Sequence, residues 1–124
     1  MNETVFTSNA PEAIGPYSQA IIAGNMVYTS GQIPINPLTG NIDADSIETQ
    51  TEQVCKNLKA VLQAAGSDID KAVKTTCFLA DISDFSAFNG VYSQYFTSKP
   101  ARSCVAVKQL PKNALVEIEV IAQI

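Results

Sequence analysis

The run Leu115-Val116-Glu117-Ile118-Glu119-Val120-Ile121-Ala122-Gln123-Ile124 decides the fold. Its side chains alternate as a strand with one buried face requires. Val116, Ile118, Val120, Ala122 and Ile124 point one way, to lie beneath helices, and Leu115, Glu117, Glu119, Ile121 and Gln123 point the other. Leu115 and Ile121 interrupt the carboxylates, so the second face is mixed rather than fully solvated. A strand over 114–123 is expected, in a sheet whose second face is covered by another subunit.

Reading outward from it, a strand near 102–108 precedes it across a loop carrying Pro111. Asp84 can cap a helix over 85–97 whose apolar side is Phe85, Phe88, Tyr92, Tyr95 and Phe96, and Pro100 bars its continuation. Residues 72–80 are rich in Val, Thr, Cys and Phe and read as a strand. Ile47, Thr51, Val54, Leu58, Val61, Leu62 and Ala65 recur at 3–4 spacing, which predicts a helix over 46–65. Asp45 with Glu48 reads as its starting box and Gly66 as its stop. Pro34, Pro37, Gly40 and Asn41 make 33–45 a loop. Two strands, 18–23 and 26–30, flank a turn at Gly24-Asn25, and a short strand at 4–6 precedes them. The order β-β-β-α-β-α-β-β implies one α+β domain over residues 1–124, a six-stranded sheet with two helices on one face.

Composition narrows the function. The hydrophobic fraction is 46% and the charged fraction 16%, which fits a globular chain rather than a disordered one. No apolar run approaches the roughly 20 residues that span a bilayer, so no membrane association is expected. Met1-Asn2-Glu3-Thr4 lacks a basic start and an apolar core, so a secretory signal is not expected, and a cytoplasmic protein is. The net charge is −4 and the eight basic residues are scattered, which weighs against a nucleic-acid partner. Cys55, Cys77 and Cys104 are an odd set without short spacings, so no disulfide framework is expected, and Cys55 and Cys77 read as packing residues. The chain has no histidine. That removes the commonest general base and zinc ligand, and leaves carboxylates, Arg, Lys, Tyr, thiol and backbone groups to carry any chemistry.

Within Pro100-Ala101-Arg102-Ser103-Cys104-Val105, Arg102 offers a planar fork that binds a carboxylate through two parallel bonds. An ordinary salt bridge is the competing reading for any single Arg. Glu117, flanked by Val116 and Ile118, is a carboxylate within an apolar strand, a placement that can tune it as a proton carrier. Glu119 shares its parity, and parity alone does not choose between them. Cys104 shares the parity of Arg102 and reads as packing, with its backbone groups at the site. Tyr17 could donate a phenolic hydrogen bond, Ser30-Gly31 ends a strand where a small residue lets a ligand approach the backbone, and Asn89 could donate or accept. Lys74 reads as an exposed strand lysine. No phosphate-cradling loop, dinucleotide fingerprint or metal cluster is present in the sequence.

These residues closely resemble the RidA family, also called YjgF or L-PSP. The resemblance rests on Asn9-Ala10-Pro11, Ile14-Gly15-Pro16-Tyr17-Ser18-Gln19, Thr29-Ser30-Gly31-Gln32-Ile33-Pro34, Asn57-Leu58-Lys59-Ala60-Val61-Leu62, Pro100-Ala101-Arg102-Ser103-Cys104-Val105 and Glu117-Ile118-Glu119. It implies a chorismate-mutase-like α+β fold: a six-stranded mixed sheet with two helices on one face, assembled as a homotrimer with clefts between subunits. It also implies 2-iminobutanoate/2-iminopropanoate deaminase activity, releasing 2-oxo acids and ammonia from the reactive products of pyridoxal-phosphate-dependent dehydratases. In that role Arg102 holds the substrate carboxylate and Glu117 handles the attacking water. Tyr17, Ser30, Gly31, Asn89 and Cys104 line the pocket, and no cofactor or metal takes part. A non-catalytic sensor of 2-oxo acids is the alternative, and a ribonuclease or translation inhibitor fits the acidic charge less well. Only Thr97-Ser98-Lys99 separates Phe96 from Pro100, shorter than in some members of the family, which bears on the pocket rim and on substrate size.

Overall fold

A computed structural model describes residues 2–124. The strands are β1 (Glu3–Val5), β2 (Ala20–Ala23), β3 (Met26–Thr29), β4 (Ala72–Leu79), β5 (Ala101–Ala106) and β6 (Val116–Gln123). The helices are α1 (Ile47–Ala64) and α2 (Phe85–Tyr95). One sheet holds all six strands in the order β1-β2-β3-β6-β4-β5. Every neighbouring pair is antiparallel except β4 and β5, which are parallel and joined through α2, as a parallel pair requires a crossover. The strand whose alternation fixes the two faces, β6, lies inside the sheet between β3 and β4.

Both helices cover one face. Val54, Leu58 and Leu62 of α1 and Phe88 of α2 meet Cys77 and Leu79 of β4 and Val116, Ile118 and Val120 of β6 in one core. Burial pushes the Cys77 thiol up to about 12 and that of Cys55 higher still, so both stay protonated as packing residues. Among the described residues the other face carries no α-helix. Leu115, Glu117 and Ile121 are half-buried there, Glu119 and Gln123 are exposed, and Tyr28 and Val105 are 44% and 46% exposed. Ile124, expected among the buried set, is exposed because β6 ends at Gln123.

The helix ends correct two expectations. Ser46, not Asp45, caps α1: its hydroxyl accepts from the Thr49 N–H at 3.1 Å, and the Thr49 hydroxyl accepts from the Ser46 N–H at 3.3 Å. The reciprocal box thus forms one residue beyond the Asp45/Glu48 pair. Asp84 stands at the start of α2 without a side-chain cap bond, since Asp81 has already turned the chain by accepting from the Ser83 N–H at 2.9 Å. At the other end of α1, Gly66 takes φ 84°. Its N–H reaches the Gln63 carbonyl and the Ser67 N–H reaches Leu62, the left-handed closure that favours glycine.

Three buried amides tie the loops to this frame. Gln19 accepts from the Thr7 N–H at 2.8 Å and donates to the carbonyls of Thr7 and Pro11 at 3.0 and 2.8 Å. Asn57 donates to the carbonyls of Ile33 and Ile35. Gln50 donates to the Ala44 carbonyl and accepts from the Leu115 N–H. Each sits at 5% exposure or less.

Candidate active site

Arg102 lies on β5 in register with buried Thr75 of β4, so its side chain rises on the helix-covered face. The guanidinium carbon sits 4.8 Å from the Tyr92 ring centre and 5.4 Å from that of Phe85. Two rings on one face of α2, two turns apart, thus hold the planar cation by stacking. Its Nη1 donates to the Asn89 side-chain oxygen at 2.6 Å. Tyr92 is fixed in turn by a 2.7 Å hydrogen bond between its hydroxyl and that of Thr75, the residue paired with Arg102. Among the described residues no carboxylate pairs with Arg102; the ion pair formed is Lys56 with Glu52 on α1. The fork therefore keeps donors for a ligand, at the edge of an open cleft of about 410 Å³ bounded by Ser93, Phe96, Lys99 and Pro100.

Glu117 lies on β6 between fully buried Val116 and Ile118 and points to the opposite, helix-free face. It is paired with Phe78 of β4. Half-burial raises its carboxyl above the ordinary range, and the neighbouring charge of Glu119 adds to the shift. Glu119, two positions on, is exposed. The two carboxylates of equal parity are thus distinguished by environment, and Glu117 is the one whose surroundings favour proton exchange. Its side chain crosses onto Gly31. A Cβ at Gly31 would collide with the Glu117 carboxyl group, so the missing side chain makes room for the acid rather than for a ligand at that point. A deeper cleft of about 670 Å³ opens there, lined by Tyr17, Ser30, Gly31 and Glu117 with Ile14, Ile33 and Pro111 among others. Tyr17 is 53% exposed. The Ser30 hydroxyl donates to the Ser18 carbonyl at 2.6 Å, which fixes it at the cleft wall.

The sequence-predicted residues thus fall into two groups. Arg102 and Asn89 share one cleft, and Tyr17, Ser30, Gly31 and Glu117 share the other. The pairing Glu117–Phe78–Val105 puts Arg102 two strands across and three residues along from Glu117. That is roughly 10 Å in each direction, with the side chains on opposite faces. The pair is not a salt bridge, and one chain does not bring the two together. Cys104 is half-buried beside the core on the Arg102 face and lines neither cleft; burial raises its thiol, with Arg102 acting weakly against the shift. Sequence reasoning missed Gln19, whose clamp on residues 7 and 11 carries the segment leading to Tyr17, and Tyr92 as the platform of Arg102. Among the described residues no cluster of three or more Asp, Glu and Cys side chains is arranged to hold a metal ion.

A six-stranded mixed sheet backed by two helices, with Arg102 on one face and half-buried Glu117 on the other, defines a class of small α+β domains. The chain belongs to the RidA/YjgF family: the family model described as endoribonuclease L-PSP matches residues 7–124. It is 59% identical over 121 residues to AldR of Lactococcus lactis, which is named as a regulator, covering 97% of this chain and 96% of that one. It is 49% identical over 126 residues to the 2-iminobutanoate/2-iminopropanoate deaminase of Escherichia coli K12, with 98% of each chain covered. Among solved structures, E. coli TdcF with bound serine superposes with a TM-score of 0.93 at 44% identity, with 98% of each chain covered.

Proposed function

We propose that this protein hydrolyses 2-imino acids and their enamine tautomers to 2-oxo acids and ammonia. Its substrates are 2-aminoacrylate/2-iminopropanoate and 2-iminobutanoate, and the activity protects pyridoxal-phosphate enzymes in the cytoplasm from reactive products of dehydratases. It works as a homotrimer in which Arg102 of one copy faces Glu117 of the next. The observation that carries the reading is the arrangement of two clefts: an arginine with free donors at one and a carboxyl group of raised pKa at the other, on opposite faces of the sheet, which a second copy would bring together. The helix-free face, with Tyr28, Val105 and half-buried Ile121, is a surface such a copy would cover. The deaminase name of the E. coli relative and the amino acid bound in TdcF agree with a site for small carboxylates.

Arg102 grips the substrate carboxylate through two parallel charge-assisted bonds while Asn89 and the two aromatic rings hold its plane. Water adds to C2 of the protonated imine, and Glu117 takes the proton this water loses. The carbinolamine then collapses: Glu117 passes the proton to nitrogen, the hydroxyl oxygen forms the C=O bond as the C–N bond breaks and ammonia leaves, and the hydroxyl proton returns to Glu117, which releases it to the departing ammonia as ammonium. One carboxyl group of raised pKa serves every transfer. Tyr17, Ser30 and Gly31 form the wall on the Glu117 side, and Asn89 the wall on the Arg102 side.

In a coupled threonine dehydratase assay, added protein should speed the release of 2-oxobutanoate. Arg102→Ala should lose at least about 10-fold of that gain, the scale of one lost charged hydrogen bond. Full activity in Arg102→Ala would sink the assignment. The relative named as a regulator favours a second reading, in which the same cleft binds 2-oxo acids without turnover. Tight 2-oxobutanoate binding with no acceleration of imine hydrolysis would select it.

A further inference from the structure

Lys99 adds a second cation to the Arg102 cleft. Among the residues that line this cleft two are basic and none is acidic, in a chain of net charge −4. Lys99 holds φ 55°, a left-handed conformation that a lysine adopts at a cost. Its N–H donates to the Phe96 carbonyl at 3.3 Å, closing the turn after α2, and Pro100 follows directly. Proline pushes its predecessor toward extended backbone, so Lys99 departs from that preference too. The turn is thus pinned at both ends, and its side chain lies on the rim of the cleft that Arg102 enters. Three residues of chain span at most roughly 10 Å, so the Cα atoms of Lys99 and Arg102 lie within the combined reach of their two long side chains, and both line one cleft. Among the described residues Lys99 pairs with no carboxylate.

We infer that Lys99 extends the substrate range of this cleft to 2-imino acids that carry a second carboxylate on the side chain. The inference rests on the imine-hydrolase reading and adds a substrate class to the one-carboxylate imines named there. Arg102 takes the carboxylate next to the imine carbon, and Lys99 at the rim takes the distal one, as a point charge tolerant of chain length. A one-carboxylate imine leaves Lys99 without a partner.

The test compares the imines of aspartate and of 2-aminobutyrate, each generated by an amino-acid oxidase with catalase present, in wild type, Lys99→Met and Lys99→Glu. The diacid-to-monoacid ratio of kcat/KM should fall about fivefold in Lys99→Met, the scale of one partly exposed ion pair, and further in Lys99→Glu. A ratio equal in all three proteins, with the monoacid imine still turned over, overturns the inference and leaves the hydrolase reading standing. Turnover of neither imine by wild type removes the hydrolase reading instead. In that event calorimetry with 2-oxoglutarate and 2-oxobutanoate decides the role of Lys99. A preference for the diacid that Lys99→Met abolishes supports it, and equal binding of both overturns it.

Discussion

Glu117 and Glu119 stand two positions apart on one strand, and their difference is physical rather than positional. Glu117 crosses onto Gly31 and loses water; Glu119 stays exposed. A carboxyl group with a raised pKa binds its proton more tightly in the folded chain than in the unfolded one. Between the ordinary value of 4.5 and the raised value, the folded state therefore holds more protons, and stability falls as pH rises through that window. The cost is fully present above the raised value and disappears below the ordinary one. Glu117→Gln removes it. The variant should melt higher than wild type at pH 7, the difference should close below about pH 4.5, and imine hydrolysis should be lost. Melting curves across pH, with activity alongside, check this, and a variant less stable than wild type at pH 7 would show that the carboxylate is a structural partner.

At the scale of elements, periodicity carried most of the fold. The 3–4 stripe of α1, the aromatic side of α2 and the alternation of β6 are direct consequences of which face is buried, so each was legible in the sequence. The caps were less so: Asp45-Ser46 and Glu48-Thr49 offer two overlapping boxes, and backbone geometry rather than composition selected the second. The face taken by Arg102 was not legible either, because β5 has no strict apolar alternation and its pairing with β4 is long-range. The buried amides escaped because they are polar. Gln50 and Asn57 nevertheless occupy the buried stripe of α1 with Val54 and Val61, and that misplaced polarity was the signal available. Ser46→Ala should lower stability by about 1 kcal/mol, read by urea denaturation with an unchanged slope. Gln19→Leu should have a different signature. It leaves the Thr7 N–H and the Thr7 and Pro11 carbonyls without their partner and loosens the segment leading to Tyr17. We expect a loss of kcat/KM beyond the loss of stability, with Gln19→Glu, which keeps one acceptor for the Thr7 N–H, recovering part of it. Equal activity in Gln19→Leu would show that the segment holds its course without the clamp.

For the whole molecule the decisive feature is that one sheet separates Arg102 from Glu117. The sequence placed Glu117 on the face two helices cannot cover, which was enough to suggest a neighbouring subunit; it did not show that Arg102 stands on the other face. In the proposed homotrimer each site takes its arginine from one copy and its carboxylate from the next, which gives a prediction no single-chain site shares. Arg102→Ala and Glu117→Ala proteins should each, alone, fall at least about 10-fold below wild type. Unfolded together in equal amounts and refolded, they form mixed trimers. A site is complete only where a copy that retains Arg102 precedes one that retains Glu117, which random assembly produces in about one quarter of sites. Activity near a quarter of wild type, appearing only after co-refolding and alongside a trimer mass by light scattering, is the expected result. No recovery in properly assembled mixed trimers would mean that the two residues do not act at a shared site between copies.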